Sequence, residues 1–218
     1  MRQHGVEPDV VTWSTLAARA PTWSEARAIL DEMRQHGVEP NAFTAGTLAS
    51  KVETPDQATE IRDRMRELQL AGTEFHRAIL SALRRSLSAQ ALLDWAFSGG
   101  KGFPFDAIET PIAGYRRDGQ LEDALRLVLG WPHFEASRRV LQDHPIEAEK
   151  FLRIRYEAGS EAHLASRALG ILYIEHDEVA KARDWLQIAK NHPDSTPARR
   201  RHVEAELAKL SAGFSRSP

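Results

Sequence analysis

A chain of 218 residues with 42% hydrophobic residues can bury a core of its own, and no apolar run approaches the ~20 residues of a membrane-spanning helix. Twenty-nine Lys and Arg stand against 31 Asp and Glu, a formal net charge of −2, so the sequence lacks the basic excess usual in proteins that live on phosphate backbones. Cysteine is absent, which excludes disulfides, thiolate metal sites and cysteine nucleophiles and fits the cytoplasm or another reducing compartment; the opening MRQHGVEPDVV carries no apolar segment behind a basic one, so no secretory signal is read.

The octapeptide MRQHGVEP fills residues 1–8 and again 33–40. A shift of 32 residues lays 10–41 over 42–73 with ten identities, and methionine falls at 1, 33 and 65. Such a period marks a repeated supersecondary unit. Each unit predicts two short helices. The first runs through VTWSTLAARA in one copy and FTAGTLASKV in the next, broken at Pro21 and at Thr54-Pro55. Thr22 or Ser24, and Thr54, are candidate caps for the second helix, whose first turn is acidic at Glu25 and Asp56. Ala26, Ile29, Leu30 and Met33 follow the i, i+3, i+4, i+7 spacing of a helix with one buried stripe, and His36-Gly37 and Pro40 end it.

Further helix pairs follow. TEFHRAILSALRRSLSAQALLDWAF predicts a third, closing in the loop SGGKGFPFD, and IAGYRRDGQLEDALRLVLGW a fourth, with Gly119 at its turn. Residues 137–157 read as helix divided at His144-Pro145, 165–190 as another pair, and ARRRHVEAELAKL as a terminal helix before a frayed GFSRSP tail. No period-2 pattern of useful length occurs, so the fold class is all-α. A pair this small cannot bury its own stripe, and stacking pairs resolves that as a solenoid.

VVTWSTLAARAPTWSEARAILDEMRQHGVEPN resembles the pentatricopeptide repeat, which runs V-V-T-aromatic-x-T-L, then E-A, then a helix ending M-x-x-x-G-(V/I)-x-P-(D/N). The match is specific over 1–73 and fades through 74–130. LGILYIEHDEVAKARDWLQIAKNHP is similar to the tetratricopeptide class, with Leu169, Gly170, Tyr173, Ala182, Leu186 and Ala189 at that motif's spacings. The resemblance implies a right-handed α-solenoid: pentatricopeptide-like repeats over 1–106, tetratricopeptide-like pairs over 107–190, and a C-terminal helix with tail over 191–218. The unit of 32 residues is about three shorter than the family's usual length.

The family resemblance implies single-stranded RNA as ligand, one nucleotide per repeat, read by a residue of the first helix and the last residue of the repeat. Carried over, Ser14 pairs with Asn41, Gly46 with Thr73 and Ala78 with Asp106, while Asp9 belongs to an incomplete preceding repeat. Glycine and alanine offer no side-chain donor or acceptor, so only Asp9 and the Ser14/Asn41 pair are equipped to read. Charge argues the other way, since residues 1–73 hold 8 Lys/Arg against 11 Asp/Glu. Arg19 and Lys51, equivalent across repeats, are the candidate basic line. A protein partner gripped by the helical array, or a regulatory arm of a larger protein, stands as the alternative.

Arg84-Arg85, Arg116-Arg117 and Arg138-Arg139 read either as a phosphate-facing ridge or as solvated helix surface. Trp13, Phe43, Phe75, Trp95, Phe97 and Trp185 are expected inside, and Trp23 sits in an interhelix turn. None of the nine histidines forms an i, i+4 pair with another and HExxH is absent, so no metal, cofactor or catalytic residue is assigned and no enzyme is expected. SGGKG lacks the phosphate-loop spacing and reads as a connector. Because the octapeptide opens the chain in mid-repeat, Val11, Trp13 and Trp23 form an expected partner-binding edge, covered by upstream repeats or another subunit.

Overall fold

The computed structural model describes residues 7–98 and 103–214. Most of the first octapeptide copy, most of SGGKG and the last four residues lie outside them. The described residues form thirteen α-helices and one 3-10 turn, with no strand. The all-α expectation holds. The chain divides into two compact units, residues 1–114 and 115–218.

In the first unit α1 (Val10–Arg19) and α2 (Trp23–Gln35) make one pair, α3 (Ala42–Ser50) and α4 (Pro55–Glu67) the next, and α5 (Thr73–Leu83) and α6 (Ala89–Ser98) a third. The expected caps are in use: Thr22 and Thr54 accept from the backbone N–H groups of Glu25 and Gln57. α1 packs on α3, and α3 on α5. The second helices are joined through charge and indole: Arg64 donates to Asp31 at 2.5 Å, Arg27 pairs with Glu60, and the Trp95 indole donates to the Pro55 carbonyl at 3.2 Å. The stripes Ala26, Leu30, Met33 and Ala58, Ile61, Met65 are fully buried between the layers, as their 3.6-residue period requires. A 3-10 turn at Phe105–Ile108 leads into α7 (Glu109–Arg117).

The second unit holds α8 (Leu121–Gly130), α9 (Glu135–Asp143), α10 (Pro145–Glu157), α11 (Ala162–Glu175), α12 (Val179–Asn191) and α13 (Pro197–Phe214). α11 is its axis, packed against α8, α9, α10 and α12 and buried from Ala165 to Tyr173. Gly170 lets α12 come close: a Cβ there would sit 2.6 Å from Leu186 Cδ2. The terminal helix runs further than its sequence suggested, through Phe214, and packs on α12 through Val203, Leu186 and Ala189. No described helix is long and apolar enough to cross a membrane.

Candidate ligand-binding surface

The residues expected to contact a ligand are spread over α1, α3 and the start of α5, with Asp9 and Asn41 at the N-termini of α1 and α3. Asp9 caps α1, accepting from Thr12 N at 2.8 Å and Thr12 Oγ1 at 2.7 Å. The backbone bond from Thr12 and then its hydroxyl hold the carboxyl below the usual range, so Asp9 is an anion fixed on the helix terminus. Asn41 caps α3 in a capping box: its Oδ1 accepts from Thr44 N at 3.0 Å, and its own N–H reaches Thr44 Oγ1.

Ser14 is a correction. It is buried, and its hydroxyl lies 2.7 Å from Thr44 Oγ1. Thr44 has one hydroxyl proton and donates it to Asn41 Oδ1 at 3.1 Å, so Ser14 supplies the proton of the Ser14–Thr44 bond. The expected reader pair is therefore one relay, Ser14 to Thr44 to Asn41, that stitches α1 to α3. Its inner member has no surface from which to meet a base.

The second pair, Gly46 with Thr73, fails for a different reason. Caps Asp9 and Asn41 stand 32 residues apart, but α5 is capped at Gly72, which is 31 beyond Asn41. Thr73 is thus the first residue of α5, half-buried, not its cap, and Gly46 is half-buried in α3. Ala78 is half-buried in α5, and Asp106 stands exposed in the 3-10 turn.

The same slip corrects the aromatics. One residue turns a helix by about 100°, so Phe43 and Phe75, aligned in the sequence, stand on different faces of their helices. Phe75 is buried as expected, whereas Phe43 is 64% exposed. On α1 the equivalent of Phe43 is Val11, 66% exposed. Two apolar side chains thus stand out on matching turns, next to the capping Asp9 and Asn41. The burial signal was present in the sequence only as the alternation Thr44-Ala45 against Phe75-His76, which becomes readable once the cap is located.

Trp13 and Trp23 are not available as a docking edge. Trp13 is buried, stacked on His36 with ring centroids 5.5 Å apart, and Trp23 is 6% exposed. Of the expected edge only Val11 stands out, joined by Leu16 at 45% exposure, although its repeat equivalent Leu48 is buried. Phe97, expected inside, is also exposed, edge-on to Phe103.

The basic line is half spent on the fold. Lys51 Nζ donates to the Ala20 carbonyl at 2.5 Å, closing the C-terminus of α1, while Arg19 is exposed in that helix's last turn. Nor do the arginine pairs form a phosphate-facing ridge. Arg84 is buried in a space left by Gly114, Arg116 bonds Asp143, Arg138 bonds Glu175 and Glu206, and Arg139 bonds Glu135.

Two histidine clusters escape one-dimensional spacing. His163, His192 and Asp194 bring one ligand atom each within 4.8 Å of one another. Arg199 donates to His163 Nε2 at 3.0 Å, and that cation opposes a divalent ion. His133 and His202 meet at 5.0 Å beside Arg167. No protein-family model matches the chain, and no curated protein matches it in sequence.

Proposed function

We propose that the chain is a helical-repeat binding module, its pairs stacked as a right-handed α-solenoid, and that the turns carrying Val11 and Phe43 bind single-stranded RNA by stacking. The observation that carries this is the exposure of Phe43 at 64% in register with Val11 at 66%. An exposed aromatic face beside an apolar neighbour takes any base, because every base has a π-face. The pentatricopeptide-like motif of residues 1–73 supports the ligand class. With Ser14 buried, the binding is sequence-tolerant. With Lys51, Arg27 and the arginines of α4 engaged within the fold, it depends little on salt.

The second reading, a protein partner, is favoured by that same engagement. Arg27 and Arg64 face Glu60 and Asp31 instead of solvent phosphate. One titration separates the two. Fluorescence anisotropy with mixed-sequence RNA at low and high salt should show binding with a log–log salt slope no steeper than about −1.5, equivalent to roughly two phosphates. Phe43→Ala should weaken it by about tenfold or more, as loss of one stacked base would. Absence of binding at low salt, or a Phe43→Ala variant that binds unchanged, overturns the RNA reading and leaves the protein partner.

A further inference from the structure

We propose that the second unit holds a phosphate-binding site in the cavity bounded by α9, α11 and α13, with His133, His202 and Lys209 as its contacts and Arg167 as the cation behind them. Arg167 lies on α11 and is 5% exposed. Its Nη2 meets His133 Nδ1 at 2.9 Å, and no carboxylate of the described residues lies within 4.0 Å of it. A guanidinium only donates, so His133 Nδ1 accepts, and a neutral His133 carries its proton on Nε2. Burial and then Arg199 lower the Arg167 pKa to about 10, and Glu206 opposes them only from beyond ion-pair distance, so this buried cation is incompletely compensated and calls for an opposite charge.

The cavity beside this pair measures about 630 Å³. His133, His202, Arg138 and Lys209 supply its polar wall and Ile174 and Leu210 its apolar one. The carboxylate on that wall is Glu206, already shared by Arg138 and Lys209 at 3.1 Å each, and Arg138 also bonds Glu175. Both carboxylates are therefore bonded to Arg138 and Lys209, and Glu206 acts on Arg167 only at longer range, which leaves room beside Arg167 for an incoming anion. A phosphate suits the wall better than a carboxylate, since its oxygens accept from several directions at once.

Occupancy is coupled to protons. Burial first, then Arg167, His202 and Arg138, push His133 down to about 4, against Glu206 which raises it. His202 is lowered by burial, Arg167 and Arg201, again against Glu206. Both rings are neutral near pH 7. A bound dianion offsets the cations facing His202 from α11 and α13, so that ring takes up a proton while His133 keeps accepting from Arg167, and affinity rises as pH falls below 7.

The test is calorimetry of the full chain with inorganic phosphate, and with sulfate, which keeps its charge across the range. Sulfate should bind at least tenfold tighter at pH 5.5 than at pH 8, with proton uptake read from buffers of different ionisation heat. His202→Gln, at an exposed position, should keep the wild-type melting temperature, lose that uptake and weaken binding at least fivefold. No heat with either ion at pH 5.5, affinity independent of pH, or unchanged binding by folded His202→Gln would overturn the site. A 5′-phosphorylated trinucleotide preferred over its 5′-hydroxyl twin assigns the phosphate to a nucleic-acid end. Tighter binding of glycerol phosphate assigns it to a small phosphorylated metabolite.

Discussion

The hydroxyls of Ser14 and Thr44 meet at 2.7 Å in the buried seam between α1 and α3, thirty residues apart in the chain. This bond turns two polar residues of successive repeats into a structural tie. Because Thr44 also closes the capping box of Asn41, the cap of the second repeat is set by a side chain of the first.

Cutting that tie should be measurable. Ser14→Ala leaves Thr44 with one buried partner fewer and should cost about 1–2 kcal/mol. In a double-mutant cycle with Thr44→Val, urea denaturation should give a coupling of about 0.5–1.5 kcal/mol. Additive effects would mean that the two hydroxyls do not support one another.

Gln69 should be improvable. Gly37 ends α2 at φ 71°, and its repeat equivalent, Gln69, ends α4 at φ 58°. A side chain in the left-handed region is strained by roughly 1–2 kcal/mol, part of which glycine's extra chain entropy offsets. Gln69→Gly should therefore stabilise the chain by about 0.5–1 kcal/mol, read as a higher denaturation midpoint.

Gly170→Ala tests the α11–α12 contact. The added methyl would meet Leu186 Cδ2 and Cγ at 2.6 Å and its backbone N at 3.3 Å. The leucine is fully buried and has little space to retreat, so the substitution should cost about 1–3 kcal/mol. In a double-mutant cycle with Leu186→Ala the two costs should be less than additive, because the truncated side chain makes room for the methyl; additive costs would place the clash elsewhere.

Mild acid should weaken the fold. His76 is fully buried, edge-on to Phe75 and Phe103, with Nδ1 2.8 Å from the Gly72 carbonyl and Nε2 unpartnered. Burial chiefly, then Arg66 and Arg62, lowers it below 6.5, although the Gly72 bond works the other way. The unfolded chain thus binds the proton first, and stability is lost as pH falls below about 6.5, by up to ~1.4 kcal/mol per pH unit for each such group. His133, depressed to about 4, extends the loss towards that pH. Urea midpoints at pH 7 and pH 5 should differ, and His76→Phe should narrow the difference.

The helices and their caps were legible because they rest on local rules. Thr22, Thr54, the Gly37 turn, the break at Pro145 and the stripe Ala26, Leu30, Met33 follow from capping chemistry and a 3.6-residue period. What the sequence could not reveal was phase. A single residue lost between Gln69 and Gly72 rotates Phe75 inward and leaves Phe43 outside, and no composition rule registers that. The fate of the arginines was equally hidden, since Arg64 with Asp31 and Arg138 with Glu206 are partners only in three dimensions. The Arg167–His133–His202 group joins residues from two helices and the α8–α9 turn at spacings no motif describes.

The changing distance between caps limits any polymer this surface can track. First-helix caps step by 32 and then 31 residues, and Glu74 occupies on α5 the position that Val11 and Phe43 hold on α1 and α3. A strand bound as proposed would meet an apolar rung, a second apolar rung, and then a carboxylate. Its footprint on these turns would end after two nucleotides, and longer oligomers should gain avidity from elsewhere or not at all.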